Sequence, residues 1–264
     1  MSGRVRYEVR PDDAVALVTL ARPEKRNALD PDTIADLEEA LAAAEADERV
    51  AAILLAADGR DFCAGADLTH IEATLDMSRD ELEEDALAMG RLFLHMRRLP
   101  KAIVAAVQGN ALAGGAGLAT ACDVVVAADD ANFGYPEIHI GFVPAMVMTM
   151  LVRAVGEKRA FALVASGHRI GAREALEHGL VHAVFSRHTF ADDSLALTVD
   201  LATRSRTSMA LTKRLLYDLD ELTFAEGIER GAQVNAEARS TEDCRAGVRA
   251  FLARRDAATS PEAP

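Results

Sequence analysis

An apolar run that ends in glycines constrains this chain more than any other feature. Residues 102–107 are uninterruptedly apolar, and Gly109-Asn110-Ala111-Leu112-Ala113-Gly114-Gly115-Ala116-Gly117 follows before small residues continue to Asp123. That order predicts a strand, a tight turn and the N-terminus of a helix. The first N–H groups of a helix lack intrahelical acceptors and carry the positive end of its dipole. An oxygen that bears or develops negative charge is therefore the expected guest. Glycine lets such an oxygen approach the backbone closely.

A second stretch repeats this order. Residues 50–57 form an apolar run that fits a strand covered on both faces, and the loop Asp58-Gly59-Arg60-Asp61-Phe62-Cys63-Ala64-Gly65-Ala66-Asp67 follows it. Parallel pairing of the two strands would bring the Ala66 and Gly114 N–H groups together at the carboxyl edge of the sheet, where they could hold one oxyanion. Each loop alone is also what a tight turn between a strand and its helix requires. Glu137 lies in the apolar, turn-rich segment 135–144 on the same side of the sheet. Loss of water there would raise its pKa and suit it to proton transfer near neutrality. A surface or ion-paired glutamate is the other reading. Asp67 caps the next helix, and Asp123 closes the helix of the glycine stretch.

The remaining elements predict an α/β fold. Residues 4–10 and 14–20 alternate as a hairpin, Asp30-Pro31 opens a helix to about 46, and a helix over 79–98 stops at Pro100. A strand is expected at 124–127, helices at 145–155, 157–166 and 172–178, and a strand at 181–185. Three or four helices then run from 188 to about 255, with 257–264 frayed. Alternating strands and helices imply a parallel sheet with helices on its faces. The shift to an all-helical pattern near residue 200 divides the chain into a core, 1–200, and a helical region, 201–264.

Composition excludes several functions. With half its 264 residues hydrophobic the chain can bury a sizeable core, and its net charge of -13 argues against nucleic acid as a partner. Three scattered cysteines suit free thiols in a reducing compartment, and no long apolar stretch suggests a membrane span. A cytoplasmic protein without a membrane partner is expected. His178 and His182 are separated by Gly179 with no glutamate in the metalloprotease position, so no metal is expected. Cys63 has no histidine near it in sequence and reads as a buried thiol. In Gly115-Ala116-Gly117, Thr120 stands where a dinucleotide fingerprint needs its third glycine.

Several of these motifs, in this order, resemble the crotonase superfamily, the enoyl-CoA hydratase/isomerase group. They are Arg22-Pro23-Glu24-Lys25-Arg26-Asn27-Ala28-Leu29, Phe62-Cys63-Ala64-Gly65-Ala66-Asp67-Leu68, the glycine stretch, Phe133-Gly134-Tyr135-Pro136-Glu137, and residues 167–184. The resemblance implies a crotonase-like spiral of ββα units with a helical C-terminal trimerisation region, and assembly as a homotrimer or dimer of trimers. It implies an enoyl-CoA hydratase-like reaction in which the Ala66 and Gly114 N–H groups hold the thioester oxygen and Glu137 moves the proton. Lys25, Ala28, Ala64 and Ala66 match positions lining the coenzyme A channel, coenzyme A arriving as part of the substrate with no separate cofactor. Phe251-Leu252-Ala253-Arg254-Arg255 resembles the family's C-terminal motif, with Ala253 and Arg254 in place of glutamate and lysine, and Arg254 would meet a coenzyme A phosphate.

One departure stands out. Two-acid hydratases of the family carry a second glutamate at the position of Gly117. A single carboxylate is the pattern of enoyl-CoA isomerases, and a non-catalytic acyl-CoA-binding member is a further alternative. A serine peptidase on the related fold is disfavoured by Gly115 and Ala116 after the oxyanion glycine. Residues 68–95 would wall the acyl pocket, with Met77, Leu82, Met89, Met146 and Met150 making it apolar and adaptable.

Overall fold

A computed structural model of the protein describes residues 3–259. They form two compact units divided between Thr203 and Arg204. In the first, β1 (Val5–Arg10) and β2 (Val15–Leu20) make the expected antiparallel hairpin. Then follow α1 (Pro31–Ala46), β3 (Ala52–Ala57), α2 (Leu68–Thr74), α3 (Arg79–Arg98), β4 (Ala102–Val107), β5 (Asn110–Leu112), α4 (Gly114–Ala121), β6 (Val124–Ala128) and β7 (Asn132–Gly134). A 3-10 helix, Pro136–Ile140, leads to α5 (Ala145–Val155), α6 (Glu157–Ser166), β8 (Arg169–Gly171), α7 (Ala172–Glu177), β9 (Ala183–Phe185) and α8 (Phe190–Ala202).

Six strands form one sheet in the order β1-β2-β3-β4-β6-β9, parallel from β2 onward. Its apolar runs are continuous because both faces are covered. Ile53, Leu55, Ile103, Ala105, Val107, Val125 and Ala127 point into the larger core, while Leu54, Val104, Ala106, Val126 and Ala128 point the other way, onto Phe190 and the inner face of α8. The two-residue alternation of a strand sorts one apolar run into two cores.

Two strands start later than the hydrophobic runs suggest. Val50 is buried, but its N–H donates to the Asp47 carbonyl in the turn after α1, so the strand begins at Ala52. Val181 donates to Ala175 at the end of α7, which delays β9 to Ala183. The second sheet, order β5-β7-β8, has strands of three residues each, too short to show a period in the sequence.

Helix ends follow their expected chemistry. Asp30 accepts from the Thr33 N–H at the start of α1, with Pro31 at the first helical position. At the far end, Lys101 Nζ donates to the Ala44 and Asp47 carbonyls at 2.6 and 2.8 Å, satisfying acceptors that a helix C-terminus leaves open. His95 of α3 ties back to α1, its ring nitrogens 2.7 and 3.3 Å from carboxylate oxygens of Glu38 and Glu45.

The second unit packs α9 (Arg206–Asp218), α10 (Phe224–Ser240) and α11 (Glu242–Thr259) together. A capping box of Thr223 and Glu226 opens α10, and Arg230 pairs with Asp218 across the helices at 2.7 Å. The last helix reaches Thr259, so residues 257–259 continue it where fraying was expected; the rest of that expectation, 260–264, lies outside the described residues. No helix among the described residues is long and apolar enough to cross a membrane.

Lys101→Met should lower stability by about 1–2 kcal/mol, because it leaves the last carbonyls of α1 without their charged donor. Urea unfolding should show an earlier midpoint with an unchanged slope.

Candidate active site

The loops at the carboxyl ends of β2, β3, β4 and β6 zip into a second ladder. Ala64 N–H donates to Arg26 O, Phe62 to Gln108 O, Cys63 to Asn110 O, Leu112 back to Cys63 O, and Asn132 to Gly109 O. Bridges pair Leu29 with Ala66 and Cys63 with Ala111, and β5 runs parallel to β7. Each unit of strand, short strand and helix thus contributes one rung, the ββα spiral that the resemblance implies.

This ladder aims the two predicted donors. Leu29 N–H donates to Gly65 O and Asp67 N–H to Leu29 O, both at 2.8 Å. Neighbouring groups of an extended strand face opposite ways, so the Ala66 N–H between them points away from Leu29. On the adjacent rung, Ala113 N–H donates to Gly134 O at 2.8 Å, and Ala113 takes φ 52°, ψ -125° before α4 begins. That conformation costs an alanine on the order of 1–3 kcal/mol and turns the Gly114 N–H out of the ladder at the helix start. A methyl placed on Gly114 would lie 3.9 Å from Ala66 N. Neither N–H has a hydrogen-bond partner among the described residues. Gly65 permits this approach: at φ +99°, any Cβ there would fall 2.8 Å from Ala113 Cβ and 3.5 Å from Gly114 N.

Arg22 and Asn27 hold the loops in place. The Arg22 guanidinium reaches the N-cap carboxylates of both α1 and α2, Asp30 at 2.8 Å and Asp67 at 3.2 Å, and donates to Ala28 O. Burial resists ionisation of Asp67, but the Thr69 N–H and Arg22 outweigh it and keep its carboxyl below the ordinary range. Buried Asn27 accepts from Arg22 N–H and donates to the Asp58 and Asp61 carbonyls, all at 2.9 Å. The motif 22–29 is thereby a clamp between two loops. Sequence reasoning did not assign Arg22 this role, although an arginine with two N-cap aspartates elsewhere in the chain is a usable signal.

Glu137 sits in the 3-10 helix three residues beyond Gly134, whose carbonyl anchors Ala113. Its side chain is buried, Oε2 has no partner among the described residues, and burial pushes its pKa above the usual glutamate range. A buried carboxyl of this kind holds its proton more tightly than a solvated glutamate and is suited to exchange it with a reacting carbon.

At Gly117, a Cβ would meet Val147 Cγ2 at 2.4 Å and the tip of Phe93 at 3.3 Å. Packing from α5 and α3 occupies the space that a side chain would need, so the missing carboxylate has been replaced by close apolar contact. This could not be read from residue 117 alone, because Val147 and Phe93 lie 30 and 24 positions away.

The other predicted residues are distributed unevenly. Lys25 ends a 3-10 helix (Pro23–Lys25) and is exposed; Ala28 is buried beside it and Ala64 is half-buried. Next to them a cavity of about 390 Å³ is lined by Arg26, Arg60 and Arg169, with Glu24, Asp61 and Asn110. Arg254 is exposed on α11, in the second unit. Met89 reaches the loop, its Cε 3.7 Å from where a Gly114 side chain would start, and Met146 Sδ packs 3.5 Å from the same point on Gly90. Met150 is buried in the core, while Met77 and Leu82 are exposed. Cys63 is fully buried and its thiol is pushed up to about 12 by desolvation, as suits an inert thiol. No group of three metal-ligating side chains occurs among the described residues.

Two outcomes test this geometry. Gly117→Ala should cost about 1–3 kcal/mol through overpacking, and Val147→Ala in the same chain should recover most of it, giving a coupling measurable by a double-mutant denaturation cycle. Glu137→Gln should raise the melting temperature relative to the native chain, increasingly so from pH 4 to pH 8. The sign follows from a folded-state pKa above the unfolded one, which penalises the folded state as pH rises and the carboxyl ionises.

The sequence profile of the enoyl-CoA hydratase/isomerase family matches residues 10–260. A Thermus thermophilus protein provisionally named an enoyl-CoA hydratase is 43% identical over 241 residues, covering 91% of this chain and 95% of its own. The 2,3-dehydroadipyl-CoA hydratase of Escherichia coli is 34% identical, over 91% of this chain and 93% of the relative. The crystal structure of an enoyl-CoA hydratase from Mycobacterium smegmatis superposes with a TM-score of 0.90 at 31% identity, covering 95% of this chain and 96% of that one. With its loop ladder, glycine turn and full-length matches, the chain belongs to the enoyl-CoA hydratase/isomerase family of the crotonase superfamily.

Proposed function

We propose that the protein adds water to a 2-enoyl-CoA thioester, with the enolate oxygen held by the Ala66 and Gly114 N–H groups and Glu137 delivering the proton to the α-carbon. The observation that carries this reading is the pair of neighbouring unpartnered N–H groups on a ladder whose next rung, Gly134, leads into the buried Glu137. Two donors on one oxygen stabilise charge that develops only as the α-carbon gains or loses its proton, and each donor is worth roughly 3 kcal/mol of barrier in comparable sites. The start of α4 adds its dipole to the same oxygen. Hydration requires a protonated acid at the α-carbon, and burial shifts Glu137 toward its protonated form. The names of the full-length relatives support the same reaction.

Binding of coenzyme A is assigned to the loops 22–29 and 58–67. Lys25, Ala28, Ala64 and Ala66 lie along them, and the guanidinium groups of Arg26, Arg60 and Arg169 offer positive charge for the phosphates in an otherwise acidic chain. The resemblance of the C-terminal motif assigns Arg254 as a further phosphate contact. A homotrimer or dimer of trimers is supported by the exposure of Phe224, Ile228, Val248 and Phe251 in that unit.

One observation favours a second reading. Gly117 offers no second carboxylate and Val147 fills its place, so Glu137 alone could shuttle a proton between two carbons, as a 3-enoyl-CoA isomerase needs. Crotonyl-CoA and a 3-enoyl-CoA separate the two. Hydration of the first is the expected result, and double-bond migration without hydration would select the isomerase. Glu137→Gln should lower the observed turnover by about a hundredfold or more, and near-native turnover would remove Glu137 from the chemistry.

A further inference from the structure

Helices α2 and α3 hold a histidine–carboxylate pair that the site described so far does not use. His70 Nε2 lies 2.9 Å from Asp85 Oδ1, joining α2 to α3. A carboxylate can only accept, so Nε2 is the donor of this bond, and in the neutral imidazole Nδ1 then keeps its lone pair. Nδ1 has no partner among the described residues, and both side chains are only partly covered, 24% and 33% exposed.

The register of α3 locates this pair. Met89 touches the position of Gly114 and Phe93 that of Gly117, so ascending residues of α3 pass ascending residues of α4. Asp85 precedes Met89 by four residues on the same stripe, about 6 Å nearer the end where the Gly114 N–H opens. His70 approaches from α2, which starts two residues after Ala66, the other donor. The register thus puts the pair on the Gly114 side of Met89, whereas the position of the missing second acid, Gly117, is closed by Val147.

We infer that His70, oriented by Asp85, is the base that activates water for the hydration proposed above, on which this inference rests. The imidazole Nδ1 takes one proton of the water while its oxygen bonds to the β-carbon. The π electrons move onto the thioester oxygen as an enolate between Ala66 and Gly114. As the enolate collapses, its α-carbon takes the proton of Glu137. One water has been added, leaving an imidazolium and a carboxylate, and a proton passing from the first to the second through solvent restores both. The arrangement of carboxylate, imidazole and attacking oxygen is the one by which a histidine acts as a general base elsewhere.

The test separates this step from the one at the α-carbon. Exchange of the α-protons of butyryl-CoA into deuterium oxide requires Glu137 and the two donors but no attack by water. In the full-length protein, His70→Gln should lower crotonyl-CoA hydration about a hundredfold while α-proton exchange stays within about twofold of native, and Asp85→Asn should lower hydration about tenfold with the same selectivity. Equal losses in both reactions would make the pair a structural tie between α2 and α3 and overturn the inference, as would unchanged hydration in both variants. A native protein that exchanges α-protons yet hydrates no enoyl-CoA would overturn the hydratase reading, and with it this role for His70. Hydration that persists in His70→Gln would remove His70 alone and leave the hydratase reading intact.

Discussion

The hydrogen bond from the Ala113 N–H to the Gly134 carbonyl joins the two halves of the site. On one side it holds Ala113 in a backbone conformation that an alanine would leave if released, and so fixes the direction of the Gly114 N–H. On the other it sets the end of β7, three residues before Glu137. The Glu137 carboxyl and the Gly114 N–H are thus referenced to one bond within a ladder of such bonds. In the proposed reaction a small error in either would matter, since groups that act on one developing charge must hold their geometry closely.

That ladder depends in turn on the covered sheet beneath it. Strands β2, β3, β4 and β6 are held side by side by apolar packing between the main core and α8. A one-residue slip would exchange the two faces of a strand, but here both are apolar. Polar pins outside the strands carry the discrimination. Asn27 crosses to Asp58 and Asp61 beyond β3, Asp61 accepts from Asn110 beyond β4, and Asp123 accepts from the Ile103 N–H while donating its own N–H to the Ile103 carbonyl. Each pin belongs to a loop that also shapes the site, which couples the precision of the site to the stability of the fold.

Legibility in the sequence followed the range of the interaction. The hairpin, the capped helix from Pro31, the helix from Arg79 to Arg98 and the strand Ala102–Val107 are all visible as local periodicity and caps, because those signals lie within one element. The donors Ala66 and Gly114 were legible as glycine turns after apolar strands, and Glu137 as an acid in an apolar loop. The three-residue strands of the second sheet were not, since their partners come from other loops and their own pattern is too short. Nor was the Arg22 clamp, whose aspartates lie 8 and 45 residues away.

Residue order alone settles that this chain makes a parallel sheet with glycine turns at its carboxyl edge, and its motifs settle the family, because strand period, turn chemistry and helix caps act over a few neighbouring residues. Gly117 is visible there only as a missing carboxylate. The tertiary structure decides what that absence means: Val147 and Phe93, brought from two distant helices, occupy the space, and close packing leaves no room for a side chain to be added without displacing them. It also decides that Glu137 is buried, with its Oε2 unpartnered among the described residues, because burial is a property of everything folded around a residue. The same holds for His70 and Asp85, fifteen residues apart in the chain and 2.9 Å apart in space.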